Sequence, residues 1–373
     1  MQADCCKKPR FLCTEHRSTD KNLLKFALEN YTEIETAYKD KAKAMQSFVI
    51  LAIDGGGIRG IFAAKLLELI AAKYPLLSKV NLLAGTSTGA IIAACLSADM
   101  PPERITALYK AAGPSIFSRK FFLGPRLIEK ALQSPYDIMR LQAILRQVFS
   151  KTKLCAAKKP LIIPTTDLKT GRAHIFKSYD CDPKLPLYKA VQASCSAPTY
   201  FDPSIVDGCL LADGGMWANN PSQVALGQAL QHFGADYREV KIISIGTGHF
   251  NECYDENTRS WGLLNGWKIR TLTEFVSSLQ SETAFEVLST ILPPGSLLRL
   301  NFSQNRLIKP DEFGEMDALE HKARLVFERN EFIIRQFIEK LDADDSSAPG
   351  SEQSAAQRQE SLEAALSKVR TDY

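Results

Sequence analysis

Three short stretches of this chain hold residues whose types and spacing suit acyl transfer. Gly85-Thr86-Ser87-Thr88-Gly89 fits G-x-S-x-G, in which a sharp strand-to-helix turn lifts a serine oxygen out of the fold. Glycine on either side removes the Cβ atoms that would collide in so tight a turn. The serine would also sit at a helix N-terminus, whose free N–H groups favour developing negative charge. The plain alternative is an N-cap serine in an ordinary turn.

Asp54-Gly55-Gly56-Gly57-Ile58-Arg59-Gly60 admits two readings. Gly55, Gly57 and Gly60 fit the dinucleotide fingerprint G-x-G-x-x-G, with Arg59 available to a phosphate. That reading expects an acidic residue at the end of the next strand, to hold a ribose hydroxyl. Here that strand ends Leu83-Ala84-Gly85, without an acid. The other reading is an oxyanion hole, in which glycines present bare N–H donors beside the serine. Loss of one such donor costs about 10²–10³ in rate.

A serine nucleophile needs a base. The five histidines are His16, His174, His232, His249 and His321. Ser87, Asp213 and His249 follow the chain order of α/β-hydrolases. Against this, His249 reads equally as a loop residue or one that orients a substrate. Asp213-Gly214-Gly215 offers a different solution, a carboxylate at a strand end followed by glycines. If the two turns face each other, Asp213 could take the serine proton directly.

The elements that must position these groups alternate along the chain. Phe48 to Ile53 is a short continuous apolar run, read as a buried strand, and Ile61 to Tyr74 carries apolar residues at helical spacing. Val80 to Ala84 is a second strand, and Ala90 to Ala98 is a helix apolar all round, hence buried. Further strands are expected at 161–163, 173–176, 208–212 and 241–245, with helices at 187–196 and 221–233, the latter with Pro221 in its first turn. Strand, glycine turn and helix in repetition indicate a parallel α/β sheet. Residues 250–310 read as less regular, 315–341 as a long helix, and 342–357 as an acidic linker before a short amphipathic helix.

Taken together, the motifs at 54–60, 85–89 and 213–215 resemble those of the patatin-like phospholipase family, in which a DGGGxRG loop, a GxSxG elbow and a DGG or DGA turn follow in that order. Thr165-Thr166-Asp167, the 193–198 stretch Ala-Ser-Cys-Ser-Ala-Pro, and Asn219-Asn220-Pro221 also look like the family, and the resemblance covers about 48–250. It implies a three-layer α/β/α fold with a parallel-rich central sheet, here with a C-terminal helical extension. It implies a catalytic dyad of Ser87 and Asp213 without a histidine, and an oxyanion site from Gly55, Gly56 and Gly57 with Arg59. Gly85 and Gly89 are then the elbow glycines. The implied reaction is acyl-ester hydrolysis of membrane phospholipids with no metal or cofactor. Some bacterial relatives of this size are switched on by a cyclic nucleotide in antiphage defence, and others are effectors injected into host cells, so a small-molecule or protein activator fits the resemblance. The competing class is a non-catalytic membrane or nucleotide binder on the same fold.

Composition is consistent with this. The 373 residues are 45% hydrophobic and 24% charged, ordinary for a globular chain long enough to bury a large core. Lys and Arg total 46 against 42 Asp and Glu, a surplus of +4 that is too small for a dedicated nucleic-acid polymer binder. No run of 18 apolar residues and no signal-peptide pattern is present, and the nine scattered cysteines suit reduced thiols, so a cytoplasmic protein peripheral at membranes is expected. The expected organisation is a polar, helical segment at 1–45, a hydrolase domain at 46–341 and a tail at 342–373.

Two segments could meet a lipid surface. Ile116 to Arg126 interleaves aromatic and basic residues, and Trp261 to Trp267 is a glycine-punctuated loop with two tryptophans. Each reads alternatively as an ordinary packed cap or turn. Cys5-Cys6-Lys7-Lys8 could be acylated or, with Cys13 and His16, ligate zinc, but the spacing matches no standard site and the stretch reads better as a plain terminus.

Overall fold

In the computed structural model, which describes residues 47–116, 134–250, 254, 259–261, 266–267, 269–305, 308 and 312–346, Phe48–Ile53 forms strand β1 with all six residues buried. Its side chains alternate between two cores. Val49, Leu51 and Ile53 enter the larger one, and Phe48, Ile50 and Ala52 the smaller one on the opposite face. A strand covered on both faces needs apolar residues at every position, which is why it reads as an unbroken run.

From β1 the chain enters helix α1 (Gly60–Lys73), strand β2 (Leu82–Gly85) and helix α2 (Thr88–Ser97), whose ten residues are all buried. Two amphipathic helices follow, α3 (Pro102–Ile116) and α4 (Ile138–Phe149), the second capped by the Asp137 carboxylate, which accepts from the Met139 N–H. Then come β3 (Leu161–Asp167), β4 (Arg172–Lys177), α5 (Leu187–Ser194), β5 (Ser204–Val206), β6 (Cys209–Asp213), the single turn α6 (Gly215–Ala218) and α7 (Ser222–His232). Pro221 stands at the N-cap of α7, one position before the first turn expected of it. The chain closes with β7 (Val240–Ile245), β8 (His249–Phe250), α8 (Ile269–Ile291), β9 (Leu297–Leu300), β10 (Ser303–Gln304) and α9 (Met316–Ser346).

The region 250–310 is therefore more regular than its sequence suggests, since it holds the 23-residue helix α8 and the sheet strand β9. Helix α9 continues to Ser346, past Leu341 and into the acidic stretch. The N-terminal helix expected at 20–43, the Cys5–Lys8 cluster, residues 117–126 and the tail from 347 lie outside the described residues.

The sheet has eight strands in the order β5-β6-β3-β2-β1-β7-β9, with β4 added on β3. The run β3-β2-β1-β7-β9 is parallel, while β4, β5 and β6 join antiparallel. Helices α1, α2, α3, α4, α5 and α9 pack on the face of the larger core, and α7 and α8 on the other. Three layers result. No described helix is long and apolar enough to cross a membrane.

One consequence of the pairing positions the chemistry. Strand β4 pairs with β3 from Ile162 to Asp167, filling one edge. The other edge takes β2 at Leu161 and Ile162 and then β6 at Thr165 to Asp167. Strands β2 and β6 run in opposite directions along that shared edge and meet end to end. The turn after β2 carries Ser87, and β6 ends on Asp213.

Candidate active site

Ser87 occupies the turn between β2 and α2 with φ 53° and ψ −119°, a strained left-handed conformation for a residue bearing a Cβ. The surrounding structure holds it there. Its N–H donates to Ser194 Oγ at 2.9 Å, and that hydroxyl donates in turn to the Pro164 carbonyl at 2.7 Å. A Cβ on Gly85 would strike the Gly89 carbonyl, and one on Gly89 would strike the Ile53 carbonyl, so both elbow positions exclude any side chain.

Asp213 is 5% exposed. Its carboxylate accepts from the Gly215 N–H at 2.7 Å and interacts with the Ser87 hydroxyl. Its backbone is fixed as well, with its N–H on the Ser196 carbonyl and its own carbonyl accepting from Thr166 Oγ1. Burial pushes the carboxyl up to about 7, against the pull of Ser87 and Gly215 and with some help from Glu274. A base with that pKa is close to ideal at neutral pH. Burial beside Asp213 raises the pKa of the buried Cys195 thiol well above the ordinary thiol value, so it stays protonated.

The glycine loop between β1 and α1 lies against this pair. Gly55, expected as an oxyanion donor, donates its N–H to the Asn219 carbonyl at 3.0 Å and is thereby committed to holding the loop. Its own carbonyl accepts from Thr247 Oγ1. Gly56 and Gly57 line the cavity described below, and Gly57 has φ 58°, which favours glycine. Arg59 is buried, with Nη1 on the Ile308 carbonyl and Nη2 on Glu274, both at 2.8 Å, and the Phe250 ring 4.9 Å beneath it. Its Nε has no partner among the described residues and lies 3.2 Å from where a Cβ on Gly56 would stand.

Elements beyond the three motifs clamp the loop. Arg299 on β9 grips Asp54 with both nitrogens, at 2.9 Å and 2.6 Å. Burial pushes the Asp54 carboxyl upward and Arg299 pulls it down; two nitrogens matched to two oxygens is the geometry of an ionised pair. From α8, Ser281 accepts from Asn219 Nδ2 at 2.9 Å, and Gln280 accepts from the Asn220 N–H.

Ser87 and Asp213 open onto a cavity of about 350 Å³. Its walls are apolar, built from Leu108 and Ala112 of α3, Leu141 and Leu145 of α4, and Leu272 and Val276 of α8. Val276 and Met216 line it and are also exposed. Trp261 and Trp267 are exposed too, but pack on each other and on Tyr254, which touches Phe275 of α8. Of the aromatic-basic segment, only Ile116 is described, and it lines the cavity.

His249 does not line the cavity. Its Nδ1 lies 3.4 Å from Ser278 Oγ and 3.6 Å from Glu282, on β8. His174 sits on β4 against Phe176, and His232 beside Lys177, both away from Ser87. The sequence reading missed Ser194, Asn219, Thr247 and Arg299 as supports. Ser194 and Asn219 stand in stretches it had flagged, and Thr247 follows the glycine after β7; Arg299 left no local signal.

Residues 51–226 match the family model described as patatin-like phospholipase. A cGAMP-activated phospholipase of Pseudomonas aeruginosa is 30% identical over 211 residues, covering 54% of this chain and 62% of that protein. Patatin-like protein 2 of Arabidopsis thaliana is 30% identical over 262 residues, covering 58% and 64%. The human calcium-independent phospholipase A2-gamma is 27% identical over 319 residues, covering 79% and 40%. The chain thus spans less than two thirds of the length of each of these relatives.

Proposed function

Because residues 51–226 match the patatin-like phospholipase model, we propose that this chain is a member of that family and hydrolyses fatty-acyl esters of membrane phospholipids with Ser87 as nucleophile and Asp213 as base. The observation that carries this is that Ser87 and the buried carboxylate acting on it line one apolar cavity. No described histidine lines that cavity.

In this mechanism the acyl chain lies in the cavity and its carbonyl faces Ser87. Asp213 takes the hydroxyl proton as Ser87 Oγ attacks, and the carbonyl oxygen becomes an oxyanion. The N–H groups of Gly56 and Gly57 receive it, with the unpartnered Nε–H of Arg59 as a third donor. Gly55 serves by holding the loop through Asn219. Collapse of the tetrahedral species expels the lysolipid alkoxide, which takes the proton from Asp213 and leaves an acyl-serine. Water then attacks, giving its proton to Asp213, and the fatty acid departs as Ser87 regains its proton. The strained elbow and committed loop mean that little reorganisation is needed at the moment of reaction.

The test is fatty acid released from mixed phospholipid vesicles by the wild type and by Ser87→Ala, with and without a cyclic dinucleotide. Release by the wild type that vanishes in the variant supports the proposal. Equal release by both would assign the chemistry to another residue.

A further inference from the structure

We infer that Arg299 is a positioning residue for this hydrolysis, aiming the oxyanion loop through the side chain of Asp54. The inference rests on the Ser87 reading above and goes beyond the family's three motifs, since Arg299 lies well outside the matched residues 51–226.

The loop has an unusual anchoring problem. Three of the four residues from Asp54 to Gly57 are glycine, so the Asp54 side chain is the one with which this stretch can grip its surroundings. Asp54 stands where the chain leaves β1, its N–H on the Ile245 carbonyl of β7 at 3.0 Å. Its carboxylate is 2% exposed and faces the Arg299 guanidinium, itself 9% exposed. Nη1 reaches Oδ1 at 2.9 Å and Nη2 reaches Oδ2 at 2.6 Å. Nη1 also donates to Ser244 Oγ at 2.8 Å, which ties the guanidinium to β7. Arg299 Nε finds no partner among the described residues, so the guanidinium is held through Asp54 and Ser244.

Because the contact is a two-point fork, it fixes both position and rotation of the carboxylate. A single-point cation such as lysine cannot do this. The rotation matters because the next N–H groups along the chain are those that must meet the oxyanion, and such donors need placement to within about 0.5 Å. Without Arg299, a buried carboxylate would face Glu282 of α8, which already acts on both members of the pair. Asp54 would then move toward water or take up a proton, and either would turn the loop.

The test compares wild type, Arg299→Met, Arg299→Lys, the double variant Asp54→Asn/Arg299→Met, and Ser87→Ala. The substrate is a monomeric short-chain p-nitrophenyl ester, assayed well below the melting transition, with fluorophosphonate labelling of Ser87 as a second readout. Arg299→Met should lose about 100-fold in kcat with KM within about threefold, and label correspondingly slowly. Arg299→Lys should fall between it and wild type. The double variant lacks the unpaired buried charge, so its melting temperature should return toward wild type while kcat stays low. A kcat within threefold of wild type in Arg299→Met overturns the inference. So does a double variant that regains kcat together with Tm, because the pair would then serve stability alone. If Arg299→Met does not fold, the double variant decides. Retention of wild-type hydrolysis by Ser87→Ala would instead remove the catalytic reading itself.

Discussion

Gly89 at the start of α2 passes so close to Ile53 at the end of β1 that a Cβ there would penetrate the Ile53 carbonyl oxygen. The nucleophile's helix thus starts in backbone contact with the strand that carries the oxyanion loop. Gly85 makes the same demand on the other side, where a Cβ would meet the Gly89 carbonyl. Neither obstacle is a flexible side chain that could swing away. Gly89→Ala and Gly85→Ala should each cost ~3 kcal/mol or more, the upper range for forced overpacking. Urea unfolding followed by far-UV circular dichroism measures this, and a loss below ~1 kcal/mol would show that the strands can part.

Ser194 is a second support with a separable effect. Its hydroxyl takes the Ser87 N–H and gives to the Pro164 carbonyl, and the group is fully buried. Ser194→Ala leaves a donor and an acceptor unmet, at about 1–3 kcal/mol for such a group. It also releases the strained φ of Ser87. The expected result is a stability loss of roughly 2–4 kcal/mol and a kcat reduced about tenfold on a soluble ester. Unchanged kcat would mean that the elbow holds its geometry without this bridge.

The contrast between what could and could not be read from the residues follows from how local each constraint is. Strands β1 and β2 declare themselves because two-sided burial makes every position apolar. The elbow and the Asp213 turn declare themselves because glycine is needed within one or two residues of the reacting group. Helix α8 does not, because Val276, Leu279, Val287 and Ile291 on it remain exposed, which blurs the apolar face that periodicity detects. Arg299 in Leu297-Leu298-Arg299-Leu300 looks like the solvent-facing position of an edge strand. Its partner is Asp54, 245 residues earlier, and only the β7–β9 pairing brings the two together. Gly55 illustrates the opposite error. As a member of the glycine run it reads as a donor to substrate, and the Asn219 carbonyl takes that donor instead.

Asp213→Asn should separate activity from stability. The amide can still accept from Gly215 but cannot take a proton from Ser87, so hydrolysis should fall nearly as far as in Ser87→Ala. Stability should move the other way. The folded carboxyl sits at about 7 against an ordinary value of 3.8, so between these values the folded state binds more protons than the unfolded one. The stability tied to this proton is present below the ordinary value and is lost as pH rises through about 7. At pH 8 the wild type carries the full penalty of a buried carboxylate, and the asparagine variant escapes it. Thermal melts should show Asp213→Asn the more stable at pH 8, with the difference shrinking as pH falls toward 5. A variant less stable at both pH values would mean that hydrogen bonds to the carboxylate outweigh its burial.

The same raised pKa sets the shape of the pH–rate profile. Only the ionised Asp213 can accept the Ser87 proton, so kcat/KM on a neutral soluble ester should rise about tenfold per unit below pH 7 and level off above it. Cys195 does not add a second limb near neutrality, because burial keeps its thiol protonated. His249 is held by Ser278 and Glu282 and does not line the cavity. His249→Ala should therefore leave the inflection where it is. Substitutions that admit water to the Asp213 side of the cavity should shift it downward, because desolvation is the main cause of the raised value. Met216→Ser is the natural choice, since Met216 lines the cavity and is already exposed. An inflection that follows His249→Ala and ignores Met216→Ser would transfer the base from the aspartate to the histidine.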